Sequence, residues 1–367
     1  MDDTIKTYIE KMMFEGTPKR PAWAYNKINS DNIYTLKWSY DDAVMINAFI
    51  RLYEVTGNKK YLSFSNEFFK AYVSEDGKML GYELEKYNID NLCAGYTLMD
   101  LYRYTKENRY KIAYETLFKQ FKNHPRTEKG SFWHKLIYPN QVWLDGLYMG
   151  QPFYAKYLKE NNDKLNDVYL QFENMKYQYN KEKKLYYHGY DDTKTIFWSD
   201  PKTGCSKNFW SRSMGWFLMA MVDVLEIEKN KKLAIQLKQA IDGILLYAKE
   251  GLIYQVIDRE DVKGNYLETS GSAMLIYAMI KGHRLGALSE KYLIKGKEYL
   301  KNLVSRKLIN NNLQDCNLVS GLGPESNLLR NGTVEYYLSE KKVNNDPKAI
   351  GPFLMAYAEY IESEKIK

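Results

Sequence analysis

Cysteine, histidine and proline are scarce in this chain of 367 residues, which has three, four and nine of them respectively. The cysteines, Cys93, Cys205 and Cys316, are odd in number and never spaced as CxxC, so they read as reduced thiols, not a disulfide framework. His124, His134, His188 and His283 form no HxxxH or HExxH pair, which argues against a zinc site and leaves no metal or other cofactor to expect. With few prolines and no stretch rich in Pro, Gly and Ser there is no linker, and one domain over residues 1–367 is expected. Nowhere do about 18 apolar residues run together, so no membrane-spanning helix is expected. The opening MDDTIKTYIEKMM lacks the basic and apolar regions of a secretion signal, and with the unpaired thiols this predicts a cytoplasmic protein.

Other absences narrow the chemistry. There is no P-loop and no G-x-S-x-G elbow. Ser320-Gly321-Leu322-Gly323 lacks the third glycine and the βαβ setting of a dinucleotide fingerprint. The 53 Lys and Arg against 46 Asp and Glu give a charge of only +7, and Lys and Glu are mixed throughout, without the basic stripe that binds nucleic acid.

What the chain has in abundance is aromatic rings: 34 Tyr, 14 Phe and 7 Trp. Rings with polar tips suit carbohydrate surfaces. A general bias toward Lys, Asn and Tyr would raise the same count, so the number alone decides nothing.

Apolar residues recur every three or four positions, as in Val44, Ala48, Leu52 and Val55, which is the amphipathic helix period. The pattern predicts twelve helices, near 2–13, 40–56, 59–74, 89–106, 109–122, 143–159, 164–179, 206–228, 231–249, 268–283, 287–304 and 348–362. Short polar turns such as Gly57-Asn58-Lys59 and Lys229-Asn230-Lys231 separate them at a hairpin-like period. Six hairpins close a ring. In each pair the second helix carries more Lys and Glu and belongs outside, and the first is richer in Gly, Trp and Met and belongs at the centre. The expected fold is therefore all-α, an (α/α)6 toroid, preferred over an open solenoid because the hairpins are uneven in length. The excess length falls in three loops, Pro125–Val142, Lys181–Ser206 and Ile309–Lys348, and long loops in compact domains are commonly functional.

By elimination, carboxylates carry the chemistry. Asp145, in Trp143-Leu144-Asp145-Gly146, and Asp90, in Asn88-Ile89-Asp90-Asn91, each open a central helix, and neighbouring central helices would bring them to one cup. Two carboxyls in one cleft are the equipment of glycoside cleavage. The plainer alternative is that each is an ordinary helix-start residue. A helix N-terminus lowers a carboxyl pKa whereas surrounding rings raise it, and the sequence leaves that balance open. Arg212, between Trp210 and Trp216, suits an acidic sugar or is the snorkelling companion of a core Trp pair. His188 is a donor to substrate or a loop strut.

Longer strings go further. HPRTEKGSFWHKLIYPNQVWLDGLYMG (124–150), YYHGYDD (186–192), WSDPKTGCSKNFWSRSMGW (198–216), YQVIDREDVKGNYLETSGSAM (254–274) and EYYLSEKKVNNDPKAIGPF (335–353) carry a resemblance to glycoside hydrolase family 105, the unsaturated rhamnogalacturonyl hydrolases, over nearly the whole chain. The resemblance implies an (α/α)6 barrel. It also implies a small oligosaccharide partner ending in a 4,5-unsaturated uronic acid, of the kind a lyase leaves from pectin, and hydration of its C4=C5 double bond without metal or nucleophile. By the same resemblance, Asp145 is the general acid and then the base toward water, and Asp90 is its companion carboxylate. Tyr40, Lys135, Trp143, Met149, His188, Trp210, Arg212 and Trp216 surround the substrate. Two alternatives stay open on the residues alone: an inverting pair of Asp90 and Asp145 on a saturated glycoside, and a sugar-binding or scaffold protein without catalysis.

Overall fold

A computed structural model describes residues 1–23 and 36–365. Thirteen α-helices follow one another among the described residues: α1 (Asp2–Phe14), α2 (Tyr40–Thr56), α3 (Lys59–Lys70), α4 (Cys93–Thr105), α5 (Asn108–Asn123), α6 (Asp145–Glu160), α7 (Asn166–Glu173), α8 (Ser211–Ile227), α9 (Lys231–Leu245), α10 (Thr269–Arg284), α11 (Glu290–Lys307), α12 (Val334–Ser339) and α13 (Pro347–Lys365). Helices α2, α4, α6, α8, α10 and α13 pack in that order, and α13 closes back on α2, making the inner ring of an (α/α)6 barrel. Helices α3, α5, α7, α9 and α11 each return outside the preceding inner helix, and α1 packs outside α13, where the Tyr8 ring meets Phe353.

Burial explains the two layers. Every residue of α8 from Ser211 to Leu225 is buried, as is every residue of α10 from Thr269 to Gly282, because these helices touch protein on all sides. Outer α9 buries only the stripe Leu233, Leu237, Ala240, Ile241, Gly243 and Ile244 and turns its lysines to water. The predicted turn at Asn230 works as a cap, its side chain accepting from the Leu233 amide at 3.0 Å. Since all inner helices run the same way, their N-termini gather at one mouth of the ring and their C-termini at the other.

Several expected boundaries move. The segment expected as one helix over 89–106 opens with a 3-10 turn, Ile89–Leu92, because the Asn88 side chain takes the Asp90 amide (3.0 Å) and the Ile89 amide goes to the His134 carbonyl (3.2 Å). The helix expected from 206 starts at Ser211, since Trp210 bridges Val256 and the Ser211 amide bonds the Gln255 carbonyl. The helix expected over 164–179 becomes α7 and a 3-10 turn, Asn174–Gln178. The three long loops are not structureless: they contribute most of five two-stranded antiparallel pairs, and the third contains α12. Cys93, Cys205 and Cys316 are buried and unpaired.

Candidate active site

The mouth at the inner-helix N-termini collects the charged and polar residues. Asp145 is the first residue of α6, Arg212 the second of α8, Lys348 the second of α13 and Tyr40 the first of α2, with Asp90 in the turn that leads into α4. Six helix N-termini make this mouth electropositive before any side chain is counted.

Short strand pairs in the loops set the contacts. Gln141–Trp143 pairs antiparallel with Gly189–Asp191, with Trp143 opposite Gly189, and the Leu144 amide bonds the His188 carbonyl at 3.1 Å. This register places His188, 43 residues away in sequence, against Asp145. Glycine suits the position opposite Trp143, because a Cβ there would lie 2.3 Å from the Leu322 side-chain tip and 3.3 Å from the Trp143 ring, so Leu322 would have to move. A second bridge, Asn88 to Lys135, sets Asp90 against His134 and Lys135.

His188 Nε2 lies 3.3 Å from Asp145 Oδ2 and its Nδ1 is 2.7 Å from the Tyr337 hydroxyl. The His188–Asp145 contact has ion-pair distance without hydrogen-bond alignment, so Asp145 Oδ2 and His188 Nε2 are both buried polar atoms lacking a hydrogen-bond partner. Burial pushes the Asp145 carboxyl up, but the neighbouring His188, with a backbone amide, outweighs it and holds the carboxyl below its ordinary value. The balance left open by the sequence therefore falls on the side of the carboxylate.

Asp90 is engaged differently. Its carboxylate accepts Lys135 Nζ at 2.7 Å and faces His134 Nε2 at 3.4 Å. Burial lowers the Lys135 pKa and Asp90 more than restores it, so Lys135 stays charged and the two neutralise each other. Burial also lowers His134 to a pKa of about 4, so it is a neutral ring at pH 7. His134 faces Asp90 and also feels the charge of Asp145. It stacks on Trp143 (ring centroids 4.2 Å apart), and Tyr138 stacks on the same indole at 4.9 Å.

Arg212 is 1 % exposed, and its guanidinium donates only to neutral oxygens: the Asn317 carbonyl (2.5 Å), Asn317 Oδ1 (3.2 Å) and the Leu318 carbonyl (3.4 Å). Among the described residues no carboxylate oxygen comes within ion-pair distance of it, and its Nε has no acceptor. Asp346, Glu268, Tyr40 and Asp145 sustain its charge from farther away, against the cost of burial. A buried cation without its own carboxylate has the charge and the free donor to receive an anionic group.

The remaining expected residues divide. Trp210 lies beneath the Arg212 guanidinium (4.8 Å) and beside His188 (4.8 Å). Tyr40 meets Trp216 edge-on at 6.3 Å, and burial raises its hydroxyl pKa well above the ordinary value. Trp216, 1 % exposed, stacks on Tyr148, and Met149, also 1 % exposed, packs in the main core. Both lie beneath the cup floor. His134, Tyr138, Tyr337 and Glu268 were absent from the expected set. All four lie inside the quoted strings, His134 and Tyr138 in 124–150, Glu268 in 254–274 and Tyr337 in 335–353, and His134 also adjoins Lys135. Glu268 caps α10 with its carboxylate fully used, accepting from the Ser270, Gly271 and Asn317 amides.

The helical ring and its cup of buried polar groups are what an (α/α)6 enzyme offers, and comparison with known proteins supplies the class, the glycoside hydrolases. The model of Glycosyl Hydrolase Family 88 matches residues 17–364. A solved glycoside hydrolase of family 105 from C. acetobutylicum ATCC 824 is 40% identical, covers 91% of this chain and 97% of its own, and superposes with a TM-score of 0.85. Protein Atu3128 of Agrobacterium fabrum is 37% identical over 189 residues, 48% of this chain and 81% of that protein. An unsaturated glucuronyl hydrolase specific for heparin shares the fold at 17% identity, with a TM-score of 0.71 over 100% of this chain and 99% of that one. The chain belongs to the glycoside hydrolases of the family 88 and 105 group, on the family 105 side.

Proposed function

We propose that this hydrolase removes the terminal 4,5-unsaturated uronic acid from lyase-generated rhamnogalacturonan oligosaccharides by hydrating the C4=C5 double bond. The observation that carries the reading is the pair of buried, unpartnered atoms Asp145 Oδ2 and His188 Nε2, 3.3 Å apart at the positive mouth of the ring. Two such atoms are suited to a reacting carbon and a water. The family supplies the unsaturated substrate.

Binding of the anionic uronate beside Asp145 raises its carboxyl pKa again, so that it starts the cycle protonated. With the proton on Asp145, the acid delivers it to C4; the positive charge appears at C5 and spreads to the ring oxygen. Water adds to C5 and gives its proton to the Asp145 carboxylate, which restores the acid. The resulting C5 hemiketal opens, leaving a hemiacetal at C1 that collapses and releases the next sugar with its own oxygen. Asp90, already neutralised by Lys135, holds sugar hydroxyls and takes no proton. Arg212 receives the uronate carboxylate and cancels a charge that burial would otherwise penalise.

The test follows the ultraviolet absorbance of the conjugated enol carboxylate with lyase-generated unsaturated rhamnogalacturonan disaccharide, beside a saturated glycoside assayed for released sugar. Wild type is expected to abolish the absorbance and leave the saturated glycoside intact. Persistent absorbance with cleavage of the saturated compound would replace hydration by the inverting pair of Asp90 and Asp145. Inertness toward both would remove the enzyme reading for these substrates.

A further inference from the structure

Between α11 and α12 the segment 318–333 folds over the rim of the cup, and its course is fixed by hydrogen bonds. The Gly321 amide bonds the Tyr336 hydroxyl (2.9 Å), the Gly323 amide bonds the Arg330 carbonyl (2.8 Å), and the buried Trp198 indole donates to the Gly323 carbonyl (3.1 Å). Asn208 holds the Gly332 carbonyl at 2.8 Å. Arg330 thus sits on a tied segment, half-buried.

Its guanidinium reaches back toward the cup. The point where a Cβ on Gly321 would stand lies 3.2 Å from Arg330 Nη1 and 3.5 Å from the outer edge of the Trp143 ring. Arg330 is also near enough to Lys135 for its charge to work against protonation there. Lys135 has Asp90 as partner; among the described residues Arg330 has neither a carboxylate within ion-pair distance nor a side-chain hydrogen bond. Two guanidiniums without carboxylates therefore face this mouth at two depths, Arg212 at the floor and Arg330 at the rim.

We propose that Arg330 forms an anion subsite at the rim, which binds a carboxylate or sulfate on the sugar next to the unsaturated residue and so extends the substrates beyond plain rhamnogalacturonan, whose next sugar is a neutral rhamnose. The proposal rests on the hydration reading for the orientation of the substrate, with its unsaturated end at the floor and the next sugar at the rim. A guanidinium presents paired N–H donors that suit either oxyanion, and the partial burial beside Trp143 strengthens the contact over one at an open surface. The proposal also gives a reason for a fixed loop to hold two cations close together: the substrate supplies the missing negative charge.

The experiment compares two disaccharides with the same unsaturated uronic acid, one linked to a neutral sugar and one to a sugar bearing a carboxylate or sulfate, on wild type, Arg330→Gln and Arg330→Lys. Wild type is expected to show the lower KM for the anionic compound. Arg330→Gln should raise that KM about tenfold and leave both kcat values and the neutral compound's KM within about twofold, with Arg330→Lys in between. Carboxylated and sulfated versions run in parallel decide which oxyanion the subsite takes. An equal loss on both compounds would show that Arg330 serves the unsaturated residue itself, and no loss would show a solvated side chain; either result overturns the subsite. Should wild type turn over neither compound, the hydration reading fails by itself. Calorimetric binding of the two compounds then judges Arg330: an anionic preference lost in Arg330→Gln upholds the subsite, and equal affinities overturn it.

Discussion

At the mouth where the inner helices end, Lys281 lies 2.7 Å from Asp223 and 2.6 Å from Glu226, and Lys156 lies 2.5 Å from Asp100. Arg284 joins Glu226 to Glu359, and Arg51 joins Glu359 to Glu54. Most of these groups line a cavity of about 600 Å³, yet each of these cations has a carboxylate. At the N-terminal mouth Arg212 has no carboxylate within ion-pair distance among the described residues, and Asp145, His188, His134 and Arg212 each keep a buried atom without a hydrogen-bond partner. The difference teaches that an open cavity alone does not locate chemistry here. A cluster of buried polar atoms without partners is the better guide, because their desolvation is met on folding and a bound substrate or water can recover it.

The comparison can be broken at either end. Asp145→Asn should cut hydration about 10²- to 10⁴-fold while the thermal midpoint stays near wild type, because asparagine keeps the shape of the side chain and its contact with His188. Lys281→Met should do the converse: it leaves Asp223 and Glu226 short of a cation and costs about 3–5 kcal/mol of stability, read by denaturant unfolding, with kcat of the folded enzyme unchanged.

Acid should expose two further groups. Burial holds His124 and His134 at a pKa of about 4, from 6.5 in the unfolded chain. Between those values the unfolded chain takes up a proton at each ring and the folded protein does not, so stability falls as pH drops through this window. The loss amounts to about 3 kcal/mol per histidine. Thermal midpoints measured from pH 7 to pH 4 should decline, and His124→Gln should flatten the slope. Arg212→Met is the smallest of the four in energy. It should lower kcat/KM on the unsaturated disaccharide about 10²-fold, mainly through KM, with a smaller stability change than Lys281→Met because no carboxylate loses its partner.

Much of this was legible in the sequence. The three-and-four periodicity and the recurring polar turns gave both layers of the ring, and the Lys-rich second helices do lie outside. Asp90 and Asp145 were readable as cup residues because each opens a central helix. What escaped depends on long-range pairing. The three-residue ladder between Gln141–Trp143 and Gly189–Asp191 is too short for a period, so nothing local predicted that His188 meets Asp145. Tyr337 reaches His188 across 149 residues from a segment read as loop. Arg330 belongs to that same segment, and its lack of a partner is a fact of three dimensions. Trp216 entered the expected set through the resemblance, with a core Trp pair as the alternative; its ring stacks on Tyr148 and meets Tyr40 edge-on. The Asp223–Lys281 network was hidden for the opposite reason, since its members look like ordinary charges on helical faces.

The central claim is that the unsatisfied mouth carries the reaction and the satisfied mouth carries stability. The most direct measurement takes wild type, Asp145→Asn and Lys281→Met and records, on the same samples well below their midpoints, the thermal midpoint and the decay of enol-carboxylate absorbance. The account predicts a wild-type midpoint with almost no decay for Asp145→Asn, and a lowered midpoint with wild-type decay for Lys281→Met. If Asp145→Asn keeps its rate, or if Lys281→Met loses rate while folded, the division between the two ends is contradicted.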